Sequence, residues 1–252
     1  MNQSDKATHF KSLHKKSEPL VLYNIWDAGS AKALEDAGAK ACATGSWSVA
    51  AAQGFGDGEA IPLEFVLQIV ERIAKSVDLP LSVDFEGGYA IDAADVTSNV
   101  RKIIKAGAIG INFEDQVVGG EGLHAIPTQI ERIQAAREAA EQEDVPLFIN
   151  ARTDLFLKAE PSEHAALIDQ ALERQVAYSN AGADGFFIPG LTQHDLIKRI
   201  TDAANLPVNV MMRGELNSFG DITKVGASRA SYGPAPYRDA ISDLTERYNA
   251  LH

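Results

Sequence analysis

Short runs of apolar, β-branched and aromatic residues alternate along the chain with longer segments in which apolar residues recur three and four positions apart. The short runs predict β-strands, and the longer segments predict amphipathic helices. Eight strands are expected at residues 20–25, 40–45, 79–85, 108–114, 145–151, 184–189, 206–212 and 227–233. Helical patterns lie between them, among others at 30–38, 63–77, 96–107, 130–142, 164–182 and 237–252. This alternation indicates successive βα units around a parallel sheet.

Three of the helical segments end in the same Ala-Gly pair, at Gly38, Gly107 and Gly182, and each pair is followed by alanine and the next predicted strand. Glycine just beyond a helix takes the left-handed conformation that ends it. The repeated ending favours a (β/α)8 barrel over a two-domain split, with an open doubly wound sheet as the alternative. We therefore expect one domain over residues 1–252, with residues 1–18 as an N-terminal extension or helix.

Composition narrows the range of partners. The chain has 252 residues, enough for one α/β barrel, and its 35 acidic and 23 basic residues give a net charge of -12. Such a charge repels phosphate backbones and anionic lipids, so we expect neither nucleic acid nor membrane partners. The single cysteine, Cys42, cannot form an internal disulfide and is interpreted as a buried structural thiol. The polar N-terminus and the lack of a bilayer-length apolar segment predict a cytoplasmic protein.

The carboxyl ends of the predicted strands carry the candidate chemistry, as expected for a barrel of this kind. In VDFEGGY, strand alternation would place Asp84 and Glu86 on one face and Phe85 on the other. Glu114 and Asp115 end the next strand. Carboxylates brought together in this way are costly to bury without a cation, and oxygen ligands suit a hard divalent ion such as Mg²⁺. The alternative is a set of solvated loop acids paired with lysines.

Two further elements could bind an anion. Arg152, in NARTD at the end of the fifth strand, could grip a carboxylate in bidentate fashion, or it could form a structural ion pair with Asp154. In TGSWS, the backbone N–H groups of Gly45, Ser46 and Trp47 could form a nest for a second anionic oxygen, although an ordinary βα turn would have the same sequence.

Five motifs follow one another along the chain: NIWDAGSA, TGSWSVAAAQGFGDGE, VDFEGGY, GINFEDQ and NARTD. In this order and spacing they resemble the isocitrate lyase and phosphoenolpyruvate mutase superfamily, and the resemblance runs from about residue 20 to residue 233. It implies a (β/α)8 barrel, a magnesium ion, and α-oxo or α-hydroxy carboxylate substrates that react through an enolate or related oxyanion. It also implies a homo-oligomer, a dimer or tetramer, because members often exchange a C-terminal helix.

The resemblance assigns roles to individual positions. The magnesium shell, formed largely through water, would consist of Asp84, Glu86 and Glu114, with Asp57 in the same network. Substrate contacts would come from Ser46 and Trp47, which would hold its carboxylate, from the clamping Arg152, and from the strand-end residues Tyr23, Asn150 and Asn209. One departure concerns the metal: the usual Asp-x-Asp is here Asp84-Phe85-Glu86, so the second carboxylate reaches about one methylene further.

The loop after Glu114 departs further from the family pattern. Isocitrate and methylisocitrate lyases carry Lys, Cys, Gly and His there, with the cysteine as acid, and the phosphonate mutases carry a lysine and an asparagine. This chain reads EDQVVGGEGLHAIP, so cleavage of isocitrate or methylisocitrate and phosphoryl mutation are not expected. The glycines Gly119, Gly120 and Gly122 would let the loop close, with Glu121 or His124 entering the site. Alternatively, His124 caps the loop and touches nothing reactive.

These features favour a magnesium-dependent carbon-carbon lyase. It would resemble a decarboxylase and act on a small α-oxo or α-hydroxy dicarboxylate through an enolate. Two alternatives stay open: a hydrolase of oxaloacetate or phosphonopyruvate that uses water as nucleophile, and a non-catalytic protein that binds α-oxo acids.

Overall fold

A computed structural model describes residues 1–16 and 18–251, and its eight strands form one parallel sheet. The strands are β1 (Leu20–Leu22), β2 (Cys42–Ala43), β3 (Leu81–Asp84), β4 (Gly110–Glu114), β5 (Phe148–Arg152), β6 (Gly185–Phe187), β7 (Val208–Met211) and β8 (Arg229–Ser231). Their order is β1-β8-β7-β6-β5-β4-β3-β2. A parallel bridge between Ile25 and Thr44 joins β1 to β2 just beyond the two strands. The sheet therefore closes on itself, which confirms the barrel and excludes the open doubly wound alternative.

Helices alternate with the strands around the barrel. They are α1 (Gln3–Ser12), α2 (Ala28–Asp36), α3 (Ser46–Ala52), α4 (Leu63–Ser76), α5 (Ala93–Lys105), α6 (Ile126–Gln142), α7 (His164–Asn180), α8 (His194–Ala203), α9 (Phe219–Lys224) and α10 (Ala235–Asn249). The observed strands are shorter than predicted, and α3 occupies a segment interpreted from sequence as a turn. Ser17 and His252, which belong to the predicted N-terminal extension and C-terminal helix, lie outside the described residues.

The helices pack on the barrel through the apolar stripes seen in the sequence. In α4 the buried residues are Val66, Ile69, Val70 and Ile73, and α5 buries a similar stripe. The glycine endings also form as expected: Gly107, at φ 109°, follows α5, and a Cβ there would lie 2.5 Å from the Ala74 Cβ. Only glycine fits this position, because both the backbone angle and the contact exclude a side chain.

Helix α1 covers the amino end of the barrel. Phe10 is fully buried and its ring meets that of Phe148 edge-on at 5.4 Å, while His14 stacks on Phe148 at 4.1 Å. The Gln3 side-chain amide donates to the backbone carbonyls of Ile104 and Ala108 at 2.7 and 2.9 Å. With this end filled, the carboxyl ends of the strands form the open end. No helix in the described part of the chain is long and apolar enough to cross a membrane.

Candidate metal and substrate site

A cavity of about 240 Å³ opens at the carboxyl ends of the strands, and we call it the mouth cavity. Six residues singled out from the sequence line it: Gly45, Ser46, Trp47, Asp57, Asp84 and Arg152. Its other walls include the polar residues Asn24, Arg213, Ser231 and Arg238 and the apolar residues Leu157, Phe187, Pro189 and Met211. The mouth cavity thus combines acidic, basic and apolar surfaces.

Asp84, the last residue of β3, is held in place by three donors. Its Oδ2 accepts from the Ser46 backbone N–H at 3.0 Å and from the Ser46 hydroxyl at 2.8 Å. Its Oδ1 accepts from the Asn112 amide at 3.2 Å. Because both oxygens are engaged from the side, the carboxylate has one orientation at the cavity floor.

Glu86 reaches the same region by a different route from the one predicted. β3 ends at Asp84, and Glu86 lies in the following turn with a φ of 50°, so strand alternation does not place it. Its carboxylate accepts from the Gly58 and Glu59 backbone N–H groups at 3.1 and 2.9 Å. Glu59 and Tyr89, at φ 59° and 56°, are also left-handed. Three such non-glycine residues around one site are a concentration of backbone strain typical of functional regions.

The end of β4 separates two neighbouring acids. Glu114 is buried against the site, and its carboxylate accepts from Arg152 Nη1 at 2.9 Å. Asp115, predicted to join this cluster, points the other way and is bound by Arg174 at 3.1 Å and by the Tyr178 hydroxyl at 2.7 Å. Consecutive residues of an extended chain face opposite sides, so only one of the two can face the cavity. Asp115 therefore braces the barrel against α7.

Burial, together with repulsion between neighbouring carboxylates, raises the pKa values of three acids of the site. Burial, with Asp84 and Asp57 nearby, raises the pKa of Glu86 to about 8. Burial also raises the pKa of Glu114 well above its usual value, although Arg152 opposes the shift. Although Asp57 lies on the exposed rim, surrounding protein and the Asp84 charge raise its pKa too. Such shifts mark carboxylates that lack sufficient positive charge nearby.

The donor set fits a hydrated divalent ion. Asp57, Asp84, Glu86 and Glu114 supply hard oxygen donors, and Arg152 is the one cation that borders both Asp84 and Glu114 among the ion pairs of the described residues. No three His, Cys, Asp or Glu side chains in residues 1–16 and 18–251 are arranged to hold an ion directly. Mg²⁺ commonly keeps several of its waters and needs few direct protein ligands. The site is consistent with binding through water.

Arg152 forms the structural ion pair that the sequence left as one of two alternatives. Its Nε and Nη2 bind the two oxygens of Asp154 at 2.6 and 2.9 Å, and Nη1 reaches Glu114. Burial alone would lower the pKa of Arg152, but the carboxylates of Glu114 and Asp154 raise it above its usual value. The guanidinium is thus a permanently charged, rigid part of the cavity wall.

The predicted anion nest is largely used by the protein itself. Gly45 is the N-cap of α3, and its N–H donates to the Ile25 carbonyl at 3.2 Å. The Ser46 N–H donates to Asp84. Among the described residues, Trp47 alone of the three keeps an N–H without a hydrogen bond. The segment therefore orients Asp84 and leaves one donor for a ligand.

Just after β1, the cavity is lined by Asn24 and not by the predicted Tyr23. Tyr23 is 43% exposed, packs on Tyr232 at 5.0 Å between ring centres, and does not line the mouth cavity. Asn24 does line it, and its Oδ1 accepts from the Tyr232 and Gly233 N–H groups, both at 2.9 Å. Successive side chains of an extended chain point to opposite sides, so Asn24 faces the cavity while Tyr23 faces away from it.

Asn150 and Asn209 lie beneath the mouth cavity, in the barrel interior. Asn150 donates to Asn112 Oδ1 at 2.8 Å, and Asn209 bonds the Ser231 hydroxyl at 3.2 Å. Both are buried and neither lines the cavity. Asn150 therefore supports Asp84 indirectly, through the Asn112 amide that Asp84 accepts from.

The loop after β4 is a short hairpin. Gln116 and Leu123 form an antiparallel bridge, and Glu121 lies exposed at the tip. His124 is 8% exposed, and its backbone N–H donates to the Asp115 carbonyl at 2.7 Å. Burial lowers the pKa of its imidazole. Neither Glu121 nor His124 lines the mouth cavity. The placement of His124 matches the alternative in which it ends the loop without facing the site.

Two supporting residues escaped the sequence analysis. Arg132 of α6 is buried and donates to the backbone carbonyls of Gly87, Ala90 and Glu114, so it ties together the loops after β3 and β4. Glu59 accepts from the Tyr89 N–H at 2.8 Å. One sequence feature could have indicated the role of Arg132. It lies within the apolar stripe of α6, where burial of an unpaired arginine would be costly.

Comparison with known proteins agrees with this geometry. The profile of the phosphoenolpyruvate phosphomutase family matches residues 10–252. A crystal structure of a candidate phosphonomutase from Burkholderia cenocepacia J2315 has 44% identity and a TM-score of 0.96, with 100% of both chains covered. 2-Methylisocitrate lyase of Escherichia coli K12 is 33% identical over 96% of this chain and 83% of its own length.

Oxaloacetate decarboxylase of Bradyrhizobium sp. BTAi1 is 29% identical over 90% of this chain and 78% of its own length. The relatives named here thus include enzymes that cleave carbon-carbon bonds of small carboxylates. With a barrel of the expected topology and a family profile that spans nearly all of it, the chain belongs to the phosphoenolpyruvate phosphomutase family.

Proposed function

We propose that this protein is a magnesium-dependent carbon-carbon lyase that acts on a small α-oxo or α-hydroxy dicarboxylate, with decarboxylation as the simplest reaction. The observation that carries the proposal is a cluster of four acids at the carboxyl ends of the strands. Asp57 and Asp84 line the mouth cavity, Glu86 and Glu114 lie beside them, and the pKa is raised at Asp57, Glu86 and Glu114. The 2-methylisocitrate lyase and oxaloacetate decarboxylase relatives support the same reaction class.

The metal would be held by the four carboxylates, largely through water. When bound, it would supply Lewis-acid polarisation of the α-oxo group and favour an enolate at the adjacent carbon. The protein contributes by keeping the carboxylates in one arrangement before substrate arrives: Ser46 and Asn112 orient Asp84, and the Gly58 and Glu59 N–H groups orient Glu86. Such preorganisation avoids reorientation of dipoles during the reaction.

Arg152 and Trp47 would bind the substrate carboxylate. Arg152 presents a guanidinium locked by Asp154 to the cavity, and Trp47 offers the N–H that remains free at the start of α3. The apolar walls of Leu157, Phe187 and Met211 would limit water around the enolate.

Metal dependence and product identity test the proposal. Purified protein would be treated with EDTA, supplied with Mg²⁺, and incubated with oxaloacetate while pyruvate, oxalate and acetate are measured. Pyruvate formed above the rate of Mg²⁺ alone, and lost with EDTA, supports the lyase. Oxalate plus acetate would support the hydrolase, and oxalate binding by calorimetry without turnover of any α-oxo or α-hydroxy acid would support a binding protein.

We further infer a homo-oligomer assembled through α10. From Arg238 to Leu251 every residue is exposed, and within α10 the side chains of Ile241, Leu244 and Tyr248 are 43, 64 and 62% exposed. Apolar residues at this spacing share one side of a helix and favour burial against another surface. Sedimentation of the wild type should give a dimer or tetramer, and Leu244→Glu should shift it toward monomer; a monomeric wild type contradicts the inference.

A further inference from the structure

Arg229, the first residue of β8, is a buried cation without an acidic partner. It is 1% exposed, and no ion pair among residues 1–16 and 18–251 includes it. Its Nη2 donates to Asn112 Oδ1 at 3.2 Å, whereas its Nε and Nη1 have no hydrogen-bond partner in the described part of the chain. The guanidinium carbon also lies 5.8 Å from the centre of the Phe10 ring. Burial of such a cation is costly, so its contact with Asn112 needs a functional explanation.

Asn112, on β4, connects Arg229 to the acidic site. Its Oδ1 accepts from Arg229 and also from the Asn150 amide at 2.8 Å. Its Nδ2 donates to Asp84 Oδ1 at 3.2 Å. A chain of hydrogen bonds therefore runs from Arg229 through Asn112 to the carboxylate at the cavity floor.

Arg229 gives this chain its direction. A side-chain amide can exchange the places of its oxygen and nitrogen, and the Asn112–Asn150 pair would stay bonded if both amides turned over. A guanidinium has donors and no acceptor, so it can bond Asn112 only when the amide oxygen faces it. The amide nitrogen must then face Asp84. Arg229 thus fixes which end of Asn112 the carboxylate meets.

The other contacts of Asp84 do not fix this oxygen. The Ser46 backbone N–H and hydroxyl both bind Oδ2. Arg152 Nη1 lies 3.9 Å from Oδ1, which is beyond hydrogen-bond distance. Arg229 and Asp84 are also linked by charge, since the Asp84 carboxylate opposes the effect of burial on the pKa of Arg229.

We propose that Arg229 is a positioning residue for the metal site: by fixing the Asn112 amide, it holds the Asp84 carboxylate in the orientation that binds the hydrated cation. This inference rests on the proposed function, because a divalent ion at Asp84 is what the orientation serves. Arg229 contacts neither the metal nor the substrate in this role and acts through Asn112. The cost of burying it is offset by a site that is organised before the ion arrives.

A double-mutant cycle between Arg229 and Asn112 tests the link. The readout is binding of Mn²⁺ alone to EDTA-treated, desalted protein, measured from the electron paramagnetic resonance signal of the free ion. Asn112→Leu removes the amide without changing the charge and should weaken Mn²⁺ binding about tenfold, as expected for loss of one hydrogen bond to a charged group. Arg229→Met should weaken binding at least about fivefold more in the wild-type background than in the Asn112→Leu background. The lost charge acts on the ion in both backgrounds and cancels in this comparison.

Two further variants control for charge and for packing. Arg229→Lys keeps a cation that can only donate, so its Mn²⁺ affinity should stay within about threefold of the wild type. Phe186→Leu, at a fully buried side chain of β6 that packs on Tyr178, should leave Mn²⁺ binding within about twofold. Thermal melts would establish that each variant is folded at the temperature used. If Arg229→Met does not fold, Arg229→Gln takes its place in the cycle, because its amide can accept as well as donate.

The outcomes separate this inference from the proposed function. Equal effects of the Arg229 substitution in the two backgrounds overturn the positioning role, while Mn²⁺ binding and metal-dependent turnover by the wild type leave the proposed function standing. A wild type that does not bind Mn²⁺ overturns both.

Discussion

The two ends of the barrel each bury an arginine, and the surroundings of the two differ. At the carboxyl end, Arg152 is bound by Asp154 and Glu114, and these carboxylates keep its pKa above the usual value. Toward the amino end, Arg229 donates to Asn112 Oδ1 at 3.2 Å, and its Nε and Nη1 have no partner among the described residues. Burial lowers the pKa of Arg229 to about 9.

The same contrast extends to the neighbouring titratable groups. At the amino end, burial and the Arg229 charge lower the pKa of His14 to about 3. At the carboxyl end, burial and nearby acids raise the pKa of Glu86 to about 8. The amino end is thus sealed by aromatic packing and holds a neutral base, whereas the carboxyl end collects negative charge that a cation would relieve. Packing and chemistry are separated along the barrel axis, as expected for this fold.

Because packing and the candidate site lie at opposite ends of the barrel, substitutions at the carboxyl end should affect activity far more than stability. Asp84→Asn should lower kcat/KM for the substrate by about 10³-fold or more, because it removes a charge that the proposed metal site requires. The free energy of unfolding should change little, since removal of a repelled charge offsets the weaker acceptor. Steady-state kinetics and urea unfolding would measure both quantities.

Asp92→Asn is the control for this substitution, because Asp92 is exposed and makes no side-chain cap hydrogen bond. It should leave both quantities unchanged. An Asp84→Asn enzyme with nearly full activity, or one whose activity loss merely follows unfolding, would contradict the assignment of chemistry to this end.

The opposite result is expected at the amino end. Phe10→Ala should lower the free energy of unfolding by about 3–5 kcal/mol, since Phe10 is fully buried against Phe148 and Arg229. At temperatures where the variant stays folded, kcat/KM should remain within about threefold. Phe219→Ala, at a side chain that is 55% exposed, should cost less than about 0.5 kcal/mol. Equal costs for the two variants would mean that α1 does not seal the barrel.

Sequence patterns were sufficient for the barrel because each βα unit carries its own evidence. Period-two and period-3.6 apolar spacing, together with glycines such as Gly107, are local signals. Several strands were predicted too long at their amino ends, because the apolar run begins before the first residue that pairs with a neighbouring strand, as at 145–147 before β5. The helix α3 was missed because TGSWS contains small and polar residues typical of a turn as well as of a helix start.

The site was harder to predict because it depends on which way each side chain points after the strand ends. Asp115 and Tyr23 come directly after strands, where site residues were expected, but their side chains face away from the mouth cavity. Asn24 lies in the position that was assigned to Tyr23. Glu86 approaches the cluster through a left-handed turn that no spacing rule predicts. Arg132 and Arg174 contact the site loops from helices more than ten residues away in sequence, so their roles appear only in three dimensions.

A pH experiment sharpens the comparison between the ends. The pKa of His14 is about 3 in the folded protein and about 6.5 when unfolded, so the unfolded state binds more protons between these values. The free energy of unfolding should therefore fall as the pH falls below 6.5, by up to about 1.4 kcal/mol per pH unit from this group. His14→Gln should remove that part of the slope between pH 6.5 and 4.5, whereas His9→Gln, at an exposed position of α1, should retain it.

The smallest effect is expected at Cys42, at the start of β2. The thiol is fully buried, and burial, with Glu35 nearby, raises its pKa to about 12. Because the thiolate is the reactive form, iodoacetamide should leave kcat/KM unchanged in the folded protein and should label the thiol only after unfolding in urea. Cys42→Ala should retain activity within about twofold. Rapid labelling with loss of activity would instead place a reactive thiol in the chemistry.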